Sequence, residues 1–97
     1  MRPSEILEKN RQNILNIFDK YPRLDNLRVF GSVARGEDTD TSDIDFLVKP
    51  LANATLFDMG GLYSDLSEIF GENIDIVSER ALKESHKDDI LSEAVLV

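Results

Sequence analysis

Apolar residues along the chain recur at helical spacing in two long segments. The first segment predicts a helix that Ser4 caps and Pro22 ends. Its apolar positions recur every three or four residues, at Leu7, Ile14, Ile17, Phe18 and Tyr21. The second segment follows Thr55, which forms a capping-box pattern with Asp58, and ends at Gly71. We therefore expect two amphipathic helices.

Short apolar runs between these helices indicate a sheet. Strands are predicted at residues 27–30, 43–48 and 73–77. A short helical turn is expected at 32–36, a polar loop at 37–42 and a last helix from Ser85 towards Val95. This order predicts an α/β fold (α+β in the broader sense) with a small mixed sheet of about three to four strands and flanking helices. We expect the helix-connected second and third strands to be parallel and the first two to be antiparallel.

Composition narrows the possible functions. The 97 residues suggest one domain, residues 1–97, and the net charge of −8 makes direct nucleic-acid binding unexpected. No apolar run approaches the length of a membrane-spanning helix, so no membrane partner is expected. The absence of cysteine and of an apolar secretory leader favours a reducing cytoplasm. An acidic cluster that binds divalent cations fits this charge.

Paired carboxylates lie at the start of the second predicted strand. Asp43 and Asp45 flank Ile44, and strand alternation places both on one face, about 6.6 Å apart along the chain. Two carboxylates at this spacing can bind a pair of divalent cations. An ordinary polar strand face is the alternative.

Two further features strengthen the metal interpretation. Gly31 and Ser32 follow the first strand, where a glycine backbone and exposed amides favour a phosphate, although a plain turn capped by Ser32 explains them too. Asp75 interrupts the apolar third strand, where a carboxylate is unfavourable unless it is paired, bound to metal or exposed to solvent.

These motifs resemble those of a known family. Gly31-Ser32, ten intervening residues and then Asp43-Ile44-Asp45 are similar to the signature of the polymerase-β-like nucleotidyltransferases. The fuller stretch, with Arg35, Gly36 and Ser42, resembles the minimal nucleotidyltransferase branch, the MntA-like antitoxins.

The resemblance implies a function and a role for each motif residue. Asp43 and Asp45 would bind two Mg²⁺ ions, and Asp75 would complete the metal site and help to activate the acceptor hydroxyl. Gly31 and Ser32 would hold the triphosphate of ATP, and AMP would pass to the acceptor with release of pyrophosphate. Because the chain shows no acceptor-selecting domain, a partner is expected to supply the acceptor. In this branch the partner is typically a HEPN-type RNase toxin, silenced by adenylylation of a tyrosine.

Two other functions remain open at this stage. One is a non-catalytic antitoxin that covers its partner, and the other is a metal-dependent phosphohydrolase that uses the same acids with water. Three further expectations concern other residues. Arg35 is expected to be structural, the aromatic residues Phe57 and Tyr63 to lie in the core, and the acidic loop to be solvated at Glu37, Asp38 and Asp40.

Overall fold

The computed structural model describes all residues from Met1 to Val97. Four helices, four strands and a single 3₁₀ turn follow in the order α1 (Pro3–Phe18), β1 (Leu24–Phe30), α2 (Gly31–Arg35), β2 (Ile44–Pro50), α3 (Leu56–Phe70), β3 (Ile74–Ser78), the 3₁₀ turn (Glu79–Ala81), α4 (Glu84–Glu93) and β4 (Val95–Leu96). None of the helices combines the length and hydrophobicity needed to cross a membrane.

The sheet has the order β3-β2-β1-β4. β2 and β3 are parallel, as expected for strands joined by a crossover helix, while β1 is antiparallel to both β2 and β4. The α/β fold with a mixed sheet is confirmed. The two-residue strand β4 supplies the fourth strand by pairing with Arg28 and Val29.

One face of the sheet forms the hydrophobic core. In β2 the alternate residues Ile44, Phe46 and Val48 are completely buried in a cluster with side chains of α1 and α3. Phe46 meets Phe70 of α3 edge to face, with ring centroids 5.7 Å apart. The capping box of α3 is also present, because Asp58 Oδ2 accepts the Thr55 N–H at 2.8 Å. This packing fixes β2 and therefore the direction of its remaining side chains.

The ends of α1 differ from the prediction. The helix begins at Pro3, and Glu5 Oε1 accepts the Arg2 N–H at 2.9 Å. Ser4 is therefore inside the helix, and its N–H donates to Asp38 Oδ2 at 2.8 Å. The helix ends at Phe18, well before Pro22. The first amides of a helix have no partner within the helix, and for Ser4 the distant Asp38 supplies one. Local sequence patterns do not show such a contact.

Three side chains also lie in environments that the sequence pattern misjudged. Asp38 is only 4% exposed rather than solvated, and the Ser4 N–H, which donates to its Oδ2, compensates part of the cost of burying it. Phe57 is 91% exposed and Tyr63 43% exposed, so neither belongs to the core. Both aromatic residues lie on the outer side of α3, whose buried side is formed by other residues, Asp58, Leu62, Leu66 and Phe70.

Candidate functional site

We call the candidate site, where β1 ends and β2 begins, the cleft. Phe30, the last residue of β1, pairs in register with Asp45 of β2, and Gly31 follows at φ +70°. A Cβ atom at Gly31 would overlap Asp45 Oδ2. Only glycine combines this left-handed backbone with so close an approach to a carboxylate. The glycine turn identified in the sequence therefore lies against Asp45.

The two strand acids are side by side. β2 and β3 are parallel, and their register aligns Asp45 with Asp75. Because side chains alternate along a strand, both project from the face opposite the buried Phe46. Asp43 lies one residue before β2. Asp43 and Asp75 are exposed and Asp45 is half-buried, so the acids are accessible from solvent at this end of the sheet.

The electrostatics of Asp45 reflect this crowding. Partial burial, followed by the neighbouring charges of Asp75 and Asp43, raises the pKa of the Asp45 carboxyl, while the Arg35 charge opposes the rise. Ionised Asp45 is thus disfavoured in the protein alone. A cation placed between these acids would relieve the repulsion.

The donor chemistry fits a divalent cation. Carboxylate oxygens are the ligands that Mg²⁺ prefers, usually one or two from the protein together with phosphate oxygens and water. The chain does not gather three or more Asp, Glu, His or Cys side chains into a group that could hold a metal ion by itself. A cation here therefore needs oxygens beyond those of Asp43, Asp45 and Asp75.

The remaining motif residues are distributed around the turn. Ser32 is half-buried at the start of α2, and its carbonyl accepts the Glu37 N–H at 2.9 Å. Ser42 Oγ accepts the Thr39 N–H at 2.8 Å, which orders the loop before the acids. Arg35 leaves the end of α2 and binds Glu37 and Glu93.

Glu93 is a cleft residue that the sequence did not reveal. It is the last residue of α4, and its carboxylate accepts the Gly31 N–H at 3.1 Å and Arg35 Nη1 at 2.5 Å. Burial alone would raise the pKa of Glu93, but the hydrogen bonds from Arg35 and Gly31 outweigh it and hold that pKa below its ordinary value. No local motif marks Glu93, because it reaches the turn from a helix 62 positions further along the chain.

A second surface lies at the opposite end of the sheet. A groove of about 330 Å³ is lined by Pro50, Ala54, Thr55, Leu56, Met59, Ser78 and Arg80. The first two residues of α3 beside it, Leu56 and Phe57, are 87% and 91% exposed. We call this second region the distal groove. It contains none of the motif residues.

The fold and the acids beside a glycine turn are similar to those of proteins that transfer nucleotides. The family described as "Polymerase beta, Nucleotidyltransferase" matches residues 12–97. The chain belongs to this nucleotidyltransferase family.

Relatives of similar size are found in sequence and in structure. A candidate protein adenylyltransferase of Methanocaldococcus jannaschii is 40% identical over 67 residues, which are 69% of this chain and 72% of that protein. A solved structure described as a candidate minimal nucleotidyltransferase is 37% identical, with a TM-score of 0.83 over 97% of this chain and 95% of that chain.

Two more distant structures share the fold. One is a toxin–antitoxin complex with AMP-PNP, 20% identical, with a TM-score of 0.73 over 90% of this chain and 71% of that one. The other contains a tri-AMPylated HEPN toxin of Shewanella oneidensis with its MNT antitoxin. It is 19% identical, with a TM-score of 0.64 over 92% of this chain and 69% of that one.

Proposed function

We propose that this chain transfers AMP from ATP to a hydroxyl group of a partner protein, with release of pyrophosphate. The observation that carries the proposal is the alignment of Asp45 with Asp75, beside a glycine turn that comes within contact of Asp45. Family membership and the candidate protein adenylyltransferase among the relatives support the reaction class and the acceptor class.

The residues of the cleft divide the chemistry between them. The Gly31 N–H and the Ser32 hydroxyl bind oxygens of the triphosphate, and the missing Cβ of Gly31 lets those oxygens approach the acids. Asp43, Asp45 and Asp75 would hold two Mg²⁺ ions, which supply neutralisation of the triphosphate and of the charge that develops on it. Asp75, at the exposed edge of the cleft, orients the acceptor hydroxyl and assists loss of its proton. The acceptor oxygen then attacks the α-phosphorus in line with the departing pyrophosphate.

The partner is proposed to be a HEPN-type toxin, with a tyrosine hydroxyl as acceptor. The sequence resemblance to MntA-like antitoxins and the shared fold with the MNT antitoxin of the AMPylated complex support this choice. An open cleft with exposed Asp43 and Asp75 is accessible to a side chain from another protein. Since positioning of the acceptor contributes much of the rate, we expect little transfer to small alcohols without the partner.

The test is incubation of the purified chain with ATP, Mg²⁺ and the product of each neighbouring gene, followed by intact-mass measurement of both proteins. We expect the partner to gain the mass of AMP and pyrophosphate to be released. Asp45→Asn is the inactive control. Unmodified partner, or orthophosphate as the product, would contradict the proposed transfer, and orthophosphate would favour the hydrolase.

A second candidate is neutralisation of the partner by binding alone. The exposed Leu56 and Phe57 beside the distal groove favour it, because contiguous exposed apolar side chains mark protein-binding surfaces. The two functions separate in one experiment. If Asp45→Asn still neutralises the partner while Phe57→Ser does not, binding is sufficient; the reverse pattern assigns neutralisation to catalysis.

A further inference from the structure

Two hydrogen-bond donors in the cleft converge on one carboxylate. The Gly31 N–H and Arg35 Nη1 both donate to Glu93, at 3.1 Å and 2.5 Å. The Gly31 N–H is the same donor that the proposed function assigns to the triphosphate. Charged donors bind carboxylate and phosphate oxygens with similar geometry. Glu93 therefore occupies a position where a phosphate oxygen would make equivalent hydrogen bonds.

Glu93 and a triphosphate cannot use this position together. The Glu93 charge is also among those that disfavour ionised Asp45, which places it close to the other acids of the cleft. Bringing a polyanion to the same donors would add like charge at short range. One of the two anions must leave.

Helix α4, which carries Glu93, is packed loosely enough to move away from the cleft. None of the ten residues of α4 is buried, whereas α3 buries Asp58, Leu62, Leu66 and Phe70. Segments with few buried apolar contacts open at low free-energy cost. The last strand, β4, remains anchored by its pairing with β1 and by the Val97 N–H, which donates to the Leu27 carbonyl at 3.1 Å. Movement of α4 can therefore be local.

We propose that Arg35 is a phosphate-binding residue and that Glu93 is a built-in competitor that occupies its place until a nucleoside triphosphate displaces it. The inference rests on the proposed function, because it assumes that Gly31 contacts the triphosphate. It assigns two states to the cleft: a closed state with Glu93 on Arg35 and Gly31, and an open state in which the phosphate chain holds both donors and α4 is released. Nucleotide binding and release of α4 are then thermodynamically linked.

The first test is calorimetric titration of ATP with Mg²⁺ into the wild type, Glu93→Gln and Arg35→Gln. If the closed state is favoured about tenfold, Glu93→Gln binds ATP about tenfold more tightly, since affinity is reduced by the fraction of competent protein. Arg35→Gln binds about tenfold more weakly. In the double variant Glu93→Gln gains clearly less than tenfold, because without Arg35 the competitor holds only the Gly31 N–H. Glu84→Gln, an exposed position on the same helix, is the matched control and should bind as the wild type does.

The second test needs no variant. Hydrogen exchange of the amides in residues 84–93 should become faster when ATP and Mg²⁺ are added to the wild type, and it should already be fast in Glu93→Gln without nucleotide. Melting curves show that each variant is folded. An ion pair that serves only stability would lower the melting temperature of Glu93→Gln and Arg35→Gln without changing ATP affinity in opposite directions.

The outcomes separate this inference from the function on which it rests. Equal ATP affinity of wild type and Glu93→Gln, with unchanged hydrogen exchange in α4, would contradict the proposed role of Glu93 as a competitor and leave nucleotide binding intact. Failure of the wild type and of Glu93→Gln to bind ATP would overturn the proposed function, and the competitor with it.

Discussion

Adjacent residues of β2 occupy opposite faces of the sheet. Phe46 points into the main core and is completely buried against α3, whereas Asp45 points away from it, half-buried among other acids. On one face the side chain stabilises the fold through the area removed from water. On the other face Asp45 is present although burial and neighbouring charges disfavour its ionised form when no cation is bound. The contrast teaches that one strand can specify stability and chemistry in alternate positions, with little compromise between them.

Asp45→Asn should produce the largest effect and should separate the two faces. We expect AMP transfer to fall by roughly a thousandfold or more, about 4 kcal/mol of transition-state stabilisation. Because the raised pKa of Asp45 means that its charge opposes folding at neutral pH, the variant should melt at the same or a higher temperature without Mg²⁺. It should gain less stability than the wild type when Mg²⁺ and ATP are added.

Melting curves with and without Mg²⁺–ATP, run beside the transfer assay, measure both effects. Asp88→Asn, at an exposed position on α4, is the control and should change neither. Strong destabilisation of Asp45→Asn without metal would show that Asp45 is a structural residue, and its proposed role as a metal ligand would be wrong.

Phe46→Ala should show the opposite pattern one residue away. Removing a completely buried ring that packs edge to face on Phe70 should lower the free energy of unfolding by about 3–5 kcal/mol. Chemical denaturation measures the loss. Any remaining folded protein should keep its affinity for ATP, since Phe46 does not face the cleft. A loss below about 1 kcal/mol would mean that the core repacks freely here.

Two glycines with nearly equal φ values extend this contrast. Gly31 and Gly36 have φ values of +70° and +72°, but only a Cβ at Gly31 would meet another atom, the Asp45 carboxylate. Gly36→Ala should lose about 1–2 kcal/mol from backbone strain alone. Gly31→Ala should lose more, and it should also lose ATP binding because Asp45 is displaced. Equal stability losses with ATP binding retained would show that the close approach has no functional role.

The smallest expected effect concerns Asp58, where α3 meets the loop before β1. Hydrogen bonds from Arg23, followed by the one from the Thr55 N–H, lower the pKa of this carboxyl. A depressed carboxyl pKa contributes stability above the ordinary value of about 4, and that stability is lost as the pH falls through the lower, folded-state value. Asp58→Asn should therefore unfold more easily at pH 7 and show a weaker loss of stability on acidification than the wild type. Denaturation midpoints between pH 7 and pH 2 test this; parallel curves would contradict it.

Features that depend on local periodicity and spacing could be predicted from the amino-acid sequence. Helical spacing predicted α1 and α3, the capping pair Thr55 and Asp58 predicted where α3 begins, and a helix between two apolar runs predicted that β2 and β3 are parallel. Strand alternation predicted that Asp45 would project away from the core. These properties follow from a few neighbouring residues, and the family signature from Gly31 to Asp45 is local in the same sense.

Which distant residues meet follows from the packing of the whole chain. The register of β2 and β3 aligned Asp75 with Asp45, Asp38 was buried in contact with Ser4, and Glu93 reached Gly31 from the end of α4. Exposed Phe57 shows the same limit, since helical spacing predicts an apolar side but not how far the core extends around it. Such contacts join segments far apart in the chain, and their geometry depends on the packing of every element between them.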